Sequence, residues 1–217
     1  MSADTSSNTS PYGSDTQRYW DRRYELFSRF DNGIVVDREG LFSVKPEVIA
    51  NQIAERLPGD VVLDAFCGVG GSSIAFARRK KRVVAVDIDP KRLSMAEHNA
   101  AVYGVSSKIT FLTADVMHVF EQRGLFDAVY LDPSWGGPAY HLREKFTLDM
   151  FNPNGRQLME TVLKHGCPFA FTVPKNFEIR ELSDYGEPFL LEWNELNGVR
   201  LFATAYFRLD SLHDHQA

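Results

Sequence analysis

The sequence predicts an α/β fold in which a mostly parallel sheet ends in an antiparallel hairpin. Between residues 61 and 173, short apolar runs typical of buried strands alternate with helical patterns, as in β-α-β units. A glycine-rich turn at residues 68–71 follows the first run and precedes a helical pattern. Near the C-terminus, Asn197 and Gly198 separate two further strand patterns, which is a strong hairpin signal. These observations indicate one sheet with helices packed against it.

The composition is that of an ordinary globular chain and limits the classes of function. With 217 residues, 44% hydrophobic and 24% charged, the chain has the size and composition of one folded domain. Its apolar runs are too short to span a membrane, and the N-terminus lacks the layout of a signal peptide. A net charge of −5 argues against coating long nucleic acid but allows recognition of a single terminal nucleotide. Cys67 and Cys167 suit a reducing compartment, and no Cys or His spacing predicts a metal site.

Three regions follow one another along the chain. Residues 1–16 are polar and predict a disordered tail, residues 17–57 predict an N-terminal helical extension, and residues 58–210 predict the α/β domain. We expect helices over 17–30, 46–57, 72–79, 90–103, 116–123 and 154–165, and strands over 61–65, 82–88, 109–113, 127–131, 168–173, 189–196 and 199–209. Because parallel strands share their carboxyl ends, residues that follow these strands are expected at one edge of the sheet.

Aspartates follow the first three predicted strands. Asp64 precedes the glycine turn, Asp87 lies about 20 residues beyond it, where an acidic residue binds ribose hydroxyls, and Asp115 ends the third strand. Each of them could instead cap the helix that follows it, and the same alternative applies to Asp89. The fingerprint of NAD enzymes is incomplete, because its third glycine is replaced by Ser73. This argues against an NAD(P) oxidoreductase.

The spacing Asp64-x-Phe66-x-Gly68-x-Gly70 resembles motif I of S-adenosylmethionine (SAM) methyltransferases. The resemblance implies a Rossmann-like, seven-stranded sheet with SAM at its carboxyl edge. It places Asp64 and Phe66 at the cofactor, with Asp64 near the methionine ammonium. It also places the backbone of Gly68 and Gly70 along the methionine and ribose. Asp87 is expected at the ribose hydroxyls and Asp115 at the adenine amino group.

A rigid turn follows the fourth predicted strand and reads Asp132-Pro133-Ser134-Trp135. Methyltransferases that act on exocyclic amino groups carry a similar turn at this point, with Asp, Asn or Ser followed by Pro-Pro and an aromatic residue. There Asp132 and the Pro133 carbonyl would accept hydrogen bonds from the attacking NH2, and Trp135 would stack on the base. The alternative is an ordinary Pro/Gly turn whose Trp covers the edge of the core.

The segments 18–30, 41–44, 64–71, 87–90, 135–140, 174–176 and 205–207 resemble the trimethylguanosine synthase family. That resemblance implies methyl transfer from SAM to N2 of 7-methylguanosine caps on small nuclear and nucleolar RNAs, in the nucleus, by a monomer. It places Phe27 near the cofactor, Arg18, Tyr140 and Lys175 beside the cap phosphates, and Asn176 in the substrate site. Two residues depart from the family pattern: Ser134 replaces a second proline, and Lys45 replaces the expected threonine.

Two further readings remain open at this point. A guanine-N2 methyltransferase of ribosomal or transfer RNA, or an adenine-N6 methyltransferase of DNA, would share the acceptor turn but usually carries a substrate-binding region or a basic surface. A cap-binding module without turnover would keep the fold and lose the chemistry. The intact aspartates at positions 64, 87 and 132 count against such a module.

Overall fold

The computed structural model describes residues 9–79, 81–122 and 124–209. Within this part of the chain, the strands form one seven-stranded sheet in the order β3-β2-β1-β4-β5-β7-β6. Their bounds are β1 Val61–Asp64, β2 Arg82–Asp87, β3 Ile109–Thr113, β4 Ala128–Leu131, β5 Phe169–Pro174, β6 Phe189–Leu196 and β7 Val199–Phe207. β1 to β5 run parallel, whereas β7 is antiparallel to both β5 and β6. The predicted parallel sheet with a terminal hairpin is confirmed.

The α-helices precede the sheet or connect its strands. They are α1 Gln17–Trp20, α2 Arg23–Leu26, α3 Arg38–Ser43, α4 Glu47–Arg56, α5 Gly71–Arg78, α6 Pro90–Val102, α7 Val116–Phe120, α8 Gly155–His165 and α9 Arg180–Ser183. From the first strand onward the predicted elements are present, with boundaries that differ by one or two residues except at α7, which ends three residues early. No helix in the described ranges is long and apolar enough to cross a membrane.

Successive side chains of a strand point to opposite faces of the sheet, so a hydrophobic core forms on each face. Val62 of β1 lies opposite Val83 and Ala128 and packs into the core covered by α4, α5 and α6. Its neighbour Leu63 points to the other face, where α7 and α8 cover a second core. Both faces of the central strands are therefore buried, as the uninterrupted apolar runs predict.

The N-terminal extension differs from the single helix predicted over residues 17–30. The chain forms α1, leaves the helical conformation at Arg22, forms α2, and then makes a 3-10 turn at Phe30–Asn32. Aromatic residues are only moderate helix formers, so packing decides the path. Leu26 and Phe27 are buried against the α/β domain, and the interruptions allow both to reach it.

The predicted disorder of residues 1–16 is wrong for the part of the tail that the structure describes, residues 9–16; residues 1–8 lie outside it. Ser10 and Thr16 are buried and their hydroxyls are hydrogen-bonded to each other, 2.6 Å apart. The Tyr12 hydroxyl donates to the Val36 carbonyl, and Asp15 pairs with Arg38. The sequence did not reveal this order, because Tyr12 and Asp15 are held by partners more than 20 residues away in the chain.

Candidate active site

The carboxyl ends of the parallel strands bring most of the predicted site residues to one edge of the sheet. β1 ends at Asp64 and β2 at Asp87, and Asp132 directly follows β4. Lys175 directly follows β5 and is exposed. Asp115 lies two residues beyond β3. The predicted convergence of these side chains on one edge is therefore observed.

The glycine turn after β1 depends on backbone conformations that favour glycine. Gly68 has a φ of +52° and Gly70 a φ of +91°. A Cβ on Gly70 would lie only 3.0 Å from Cα of Ala96 in α6, so the turn packs directly against that helix. A Cβ on Gly68 would meet nothing within 4 Å among the described atoms. The turn is thus closed on its α6 side and open at Gly68, where a ligand can approach the backbone.

Asp87 holds this turn in shape. One carboxylate oxygen accepts a hydrogen bond of 2.9 Å from the Gly68 N–H, and the other accepts one of 2.9 Å from the Asp89 N–H. A carboxylate offers about four lone-pair sites, so both oxygens keep capacity for further donors. The half-buried side chain can therefore shape the turn and still accept hydrogen bonds from two ligand hydroxyls.

Asp64 is fully buried and incompletely paired. Its Oδ2 accepts a 2.6 Å hydrogen bond from the Ser73 hydroxyl, while Oδ1 has no hydrogen-bond partner among the described residues. Burial raises the pKa of Asp64 to about 7; the Ser73 hydrogen bond opposes this shift, and the charges of Asp132 and Asp87 add to it. A cationic ligand group beside Oδ1 would satisfy that oxygen and favour the ionised form.

Asp89 and Asp115 are helix N-caps. Asp89 accepts a 2.8 Å hydrogen bond from the Lys91 N–H at the start of α6. Asp115 accepts a 2.9 Å bond from the Met117 N–H at the start of α7. Asp115 is exposed, and the capping bond uses only its Oδ1. The capping alternative is thus confirmed for these two residues, and the adenine contact of Asp115 stays a prediction.

Asp132 forms an ion pair with Lys45. The Lys45 Nζ lies 2.9 Å from Oδ1 and 2.8 Å from Oδ2, and the Asp132 side chain is 16% exposed. Burial raises the pKa of Asp132 above its usual range, while the ammonium opposes that shift. The same ammonium lies 4.6 Å from the ring centroid of Trp135 and 4.8 Å from that of Phe202. The acceptor turn therefore presents its carboxylate and its indole to one cation.

Ser134, which departs from the family pattern, adds a backbone hydrogen bond to the turn. The Ser134 N–H, which a proline would lack, donates to the Asn152 carbonyl at 3.2 Å. The Asn152 N–H returns a 3.1 Å bond to the Ser134 carbonyl. This two-bond bridge joins the turn to the segment before α8. With proline at position 134, the bond from the Ser134 N–H would be absent.

An aromatic cluster surrounds Trp135. The Tyr140 ring packs edge to face against it, with centroids 5.0 Å apart. Burial, and then the Tyr19 side chain of α1, raise the pKa of Tyr140. Asn176 donates from Nδ2 to the carbonyls of Tyr140 and Arg143, at 3.3 and 2.9 Å. Asn176 therefore fixes the loop that carries Tyr140, and its direct role toward substrate stays a prediction.

The two predicted site residues of the extension have different environments. Phe27 is buried, and its ring reaches the start of α5, where a Cβ on Gly71 would lie 3.8 Å from it. Arg18 is exposed, and its guanidinium stacks on the Tyr19 ring at 4.6 Å and donates to the Tyr19 hydroxyl. Phe66 is half-buried beside the glycine turn. Phe27 therefore packs against the start of α5 at the glycine turn, while Arg18 lies at the surface.

Sequence reasoning missed two buried polar residues of the site. Ser73 holds the Asp64 carboxylate, although from the sequence it was notable only as the residue in place of a third glycine. Asn99 of α6 is fully buried and donates from Nδ2 to the carbonyls of Val35 and Val69. Its Oδ1 accepts from the Val35 N–H. An asparagine on an otherwise apolar helix face was the available signal, since buried amides need partners.

Comparison with known proteins decides the family. A family model described as RNA cap guanine-N2 methyltransferase matches residues 59–203. The chain belongs to this family. It is 35% identical over 180 residues to a trimethylguanosine synthase of Schizosaccharomyces pombe, which covers 78% of the chain and 75% of the relative. It is 30% identical over 178 residues to a trimethylguanosine synthase of Saccharomyces cerevisiae, covering 76% of the chain and 56% of the relative.

Solved structures support the fold of this family member. A putative methyltransferase from Porphyromonas gingivalis has a TM-score of 0.68 at 14% identity, covering 92% of the chain and 52% of that protein. A Geobacter sulfurreducens methyltransferase has a TM-score of 0.52 at 16% identity, covering 91% and 90%. The predicted SAM methyltransferase fold, the cap guanine-N2 methyltransferase activity and the SAM cofactor are confirmed.

The polar groups of the site match the groups of SAM, and the described residues contain no set of metal ligands. Among the described residues, no group of three or more His, Cys, Asp or Glu is placed to hold a metal ion. The unpartnered Oδ1 of Asp64 suits an ammonium, and the free lone pairs of Asp87 suit hydroxyls. The open side of the turn at Gly68 allows close approach of a ligand. The residues present therefore fit SAM.

Proposed function

We propose that this enzyme methylates N2 of 7-methylguanosine caps on small nuclear and nucleolar RNAs, in the nucleus and as a monomer. The observation that carries the proposal is the position of Asp132 and Trp135. Both lie at the carboxyl edge of the sheet, beside the strand end that carries Asp64 and next to the glycine turn. A base held by this turn would therefore lie next to the cofactor site, at the end of the neighbouring strand.

In this proposal the cofactor residues bind by complementary charge and hydrogen bonding. Asp64 receives the methionine ammonium, Asp87 the ribose hydroxyls and Asp115 the adenine amino group. The backbone of Gly68 and Gly70 borders the ligand, and Phe66 and Phe27 enclose it. When bound, SAM supplies an electrophilic methyl group, so alignment of the acceptor is the main task of the chain.

The acceptor turn would bind the base by stacking and position its amino group. An N7-methylated guanine carries positive charge, so stacking on Trp135 gains cation–π energy of about 0.5–2 kcal/mol in addition to dispersion. Asp132 and the Pro133 carbonyl accept the N2–H bonds and direct the nitrogen lone pair toward the cofactor. Positive charge develops on this nitrogen during transfer, and the Asp132 carboxylate stabilises it.

The phosphate bridge of the cap would be held by a few surface groups. Arg18 and Lys175 are exposed cations. Tyr140 can donate its hydroxyl to phosphate oxygen, and Asn176 keeps the loop in place through its two carbonyl contacts. A short triphosphate needs only these charges, which agrees with a net charge of −5 on the whole chain.

Mass spectrometry of cap dinucleotides after incubation with SAM tests the proposal directly. We expect methylation of the N7-methylated cap, with the number of added methyl groups read from the mass. Trp135→Ala should abolish cap binding, whereas Trp193→Ala on β6 serves as the control for loss of an indole elsewhere. Equal rates on the unmethylated cap would refute the stacking argument. Cap binding without any consumption of SAM would identify a binding module instead.

A further inference from the structure

Lys45 is the one lysine in the buried set of described residues, with 7% of its surface exposed. Its Nζ contacts both oxygens of Asp132 and lies over the rings of Trp135 and Phe202 at 4.6 and 4.8 Å. The proposed function assigns no task to this buried ammonium.

The backbone around Lys45 is held by close packing. A Cβ on Gly71 would lie 2.5 Å from Cγ2 of Val44, so only glycine allows this approach to the start of α5. Pro46 then precedes α4 and is its N-cap. The base of the Lys45 side chain is thus fixed beside the glycine turn. Its flexible stem of four carbons is the part that can move.

We propose that Lys45 is a placeholder in the acceptor pocket: its ammonium occupies the contacts on Asp132 and Trp135 that the guanine base needs, and it leaves when the base binds. The inference rests on the proposed function. Asp132 is the acceptor for N2–H and Trp135 is the stacking surface for a cation. An ammonium that already bonds the first and lies over the second competes with the base for both.

Electrostatics explain why the ammonium has to leave. Methyl transfer places new positive charge on N2 next to Asp132, and a cation held against the same carboxylate would oppose it. The charges that face Asp132 are Lys45 from the loop before α4 and Asp64 from the end of β1, while Tyr130 of β4 stays neutral because burial raises its pKa. Lys45 thus neutralises Asp132 in the base-free pocket, and the cationic base takes over that task.

We therefore expect the wild type to bind the base more weakly than a variant without the ammonium, whereas both should bind SAM with the same affinity. A ligand that must displace a side chain binds in proportion to the fraction of molecules whose pocket is open. Removing the competing ammonium raises that fraction. A contact energy typical of a desolvated cation over an aromatic ring corresponds to a change in affinity of roughly tenfold.

Calorimetry with m7GpppG tests the inference. Lys45→Thr should bind m7GpppG roughly tenfold more tightly than the wild type. Lys45→Arg keeps the cation and should bind like the wild type, and Lys108→Thr, at the opposite edge of the sheet, controls for loss of a lysine. Titration with SAM should give the same Kd in every variant and also reports that each is folded.

A measurement on the unmodified chain complements the variants. The ε-carbon protons of Lys45, labelled with 13C-lysine and assigned through Lys45→Arg, should be shifted upfield by the two rings. Addition of m7GpppG should remove this shift. A retained upfield shift would overturn the placeholder role alone. Equal cap affinities of Lys45→Thr and the wild type would do the same, if the wild type methylates caps. Failure of every variant to bind m7GpppG overturns the proposed function and this inference together.

Discussion

The affinity for SAM should depend steeply on pH because of Asp64. Burial raises the pKa of this carboxyl to about 7, so the ionised form that pairs with an ammonium is a minority below that pH. From the titration equation, the ionised fraction is about 3% at pH 5.5 and about half at pH 7. We therefore expect SAM to bind on the order of tenfold more tightly at pH 7 than at pH 5.5.

Isothermal titration of SAM at a series of pH values measures this dependence. Asp64→Asn keeps the size and an acceptor oxygen but loses the titrating charge, so its SAM affinity should be weak and nearly flat over the same range. Asp60→Asn, at the opposite edge of the sheet, is the matched control and should follow the wild type. A wild-type affinity that does not change between pH 5.5 and 7 would show that Asp64 does not pair with the ligand.

The same carboxyl links the stability of the ligand-free protein to pH. A raised pKa means that the folded state binds the proton more tightly than the unfolded chain, whose Asp pKa is about 3.9. The stabilisation from Asp64 is complete below that value and is lost as pH rises through about 7. Thermal unfolding without SAM should therefore show a loss of stability across this window that Asp64→Asn removes.

Three further predictions concern the turn and the acceptor. Gly70→Ala should cost about 2–4 kcal/mol, from its positive φ and the overlap with Ala96, whereas Gly104→Ala has open space and should cost about 1 kcal/mol in chemical denaturation. Asp87→Ala should weaken SAM binding by about 1.5–3 kcal/mol in calorimetry, and Asp87→Asn by less, because the amide still accepts hydrogen bonds. Asp132→Ala should lower kcat by roughly two orders of magnitude with little change in cap Kd, and single-turnover rates equal to those of the wild type would contradict its role.

Periodicity in the sequence was sufficient to predict the α/β part of this fold. The runs that became β1, β2, β4 and β5 are apolar because both faces of those strands are buried, and the Asn197-Gly198 turn specifies the hairpin locally. The N-terminal extension could not be predicted in the same way. Its path depends on tertiary partners such as Val36 and Arg38, which no local pattern around residues 9–30 reveals.

In the site, too, residues placed by local sequence signals could be predicted, whereas contacts between residues distant in the chain could not. Asp64, Asp87 and Asp132 could be placed because each follows a strand, and topology then brings them together. The Lys45 contact could not be foreseen, because it spans 87 residues and depends on the approach of Val44 to Gly71. The partners of Asn99 were hidden for the same reason, since Val35 lies 64 residues away.

The shortness of α1 and α2 has a consequence for how the substrate side of the protein opens. Isolated helices of four residues have no stability in water, so this segment stays folded only through its contacts with the α/β domain. Such a segment forms a local unfolding unit with a lower opening free energy than the sheet. Its amide protons should exchange with solvent before those of β1 and β4, and a bound cap that contacts Arg18 should slow that exchange selectively.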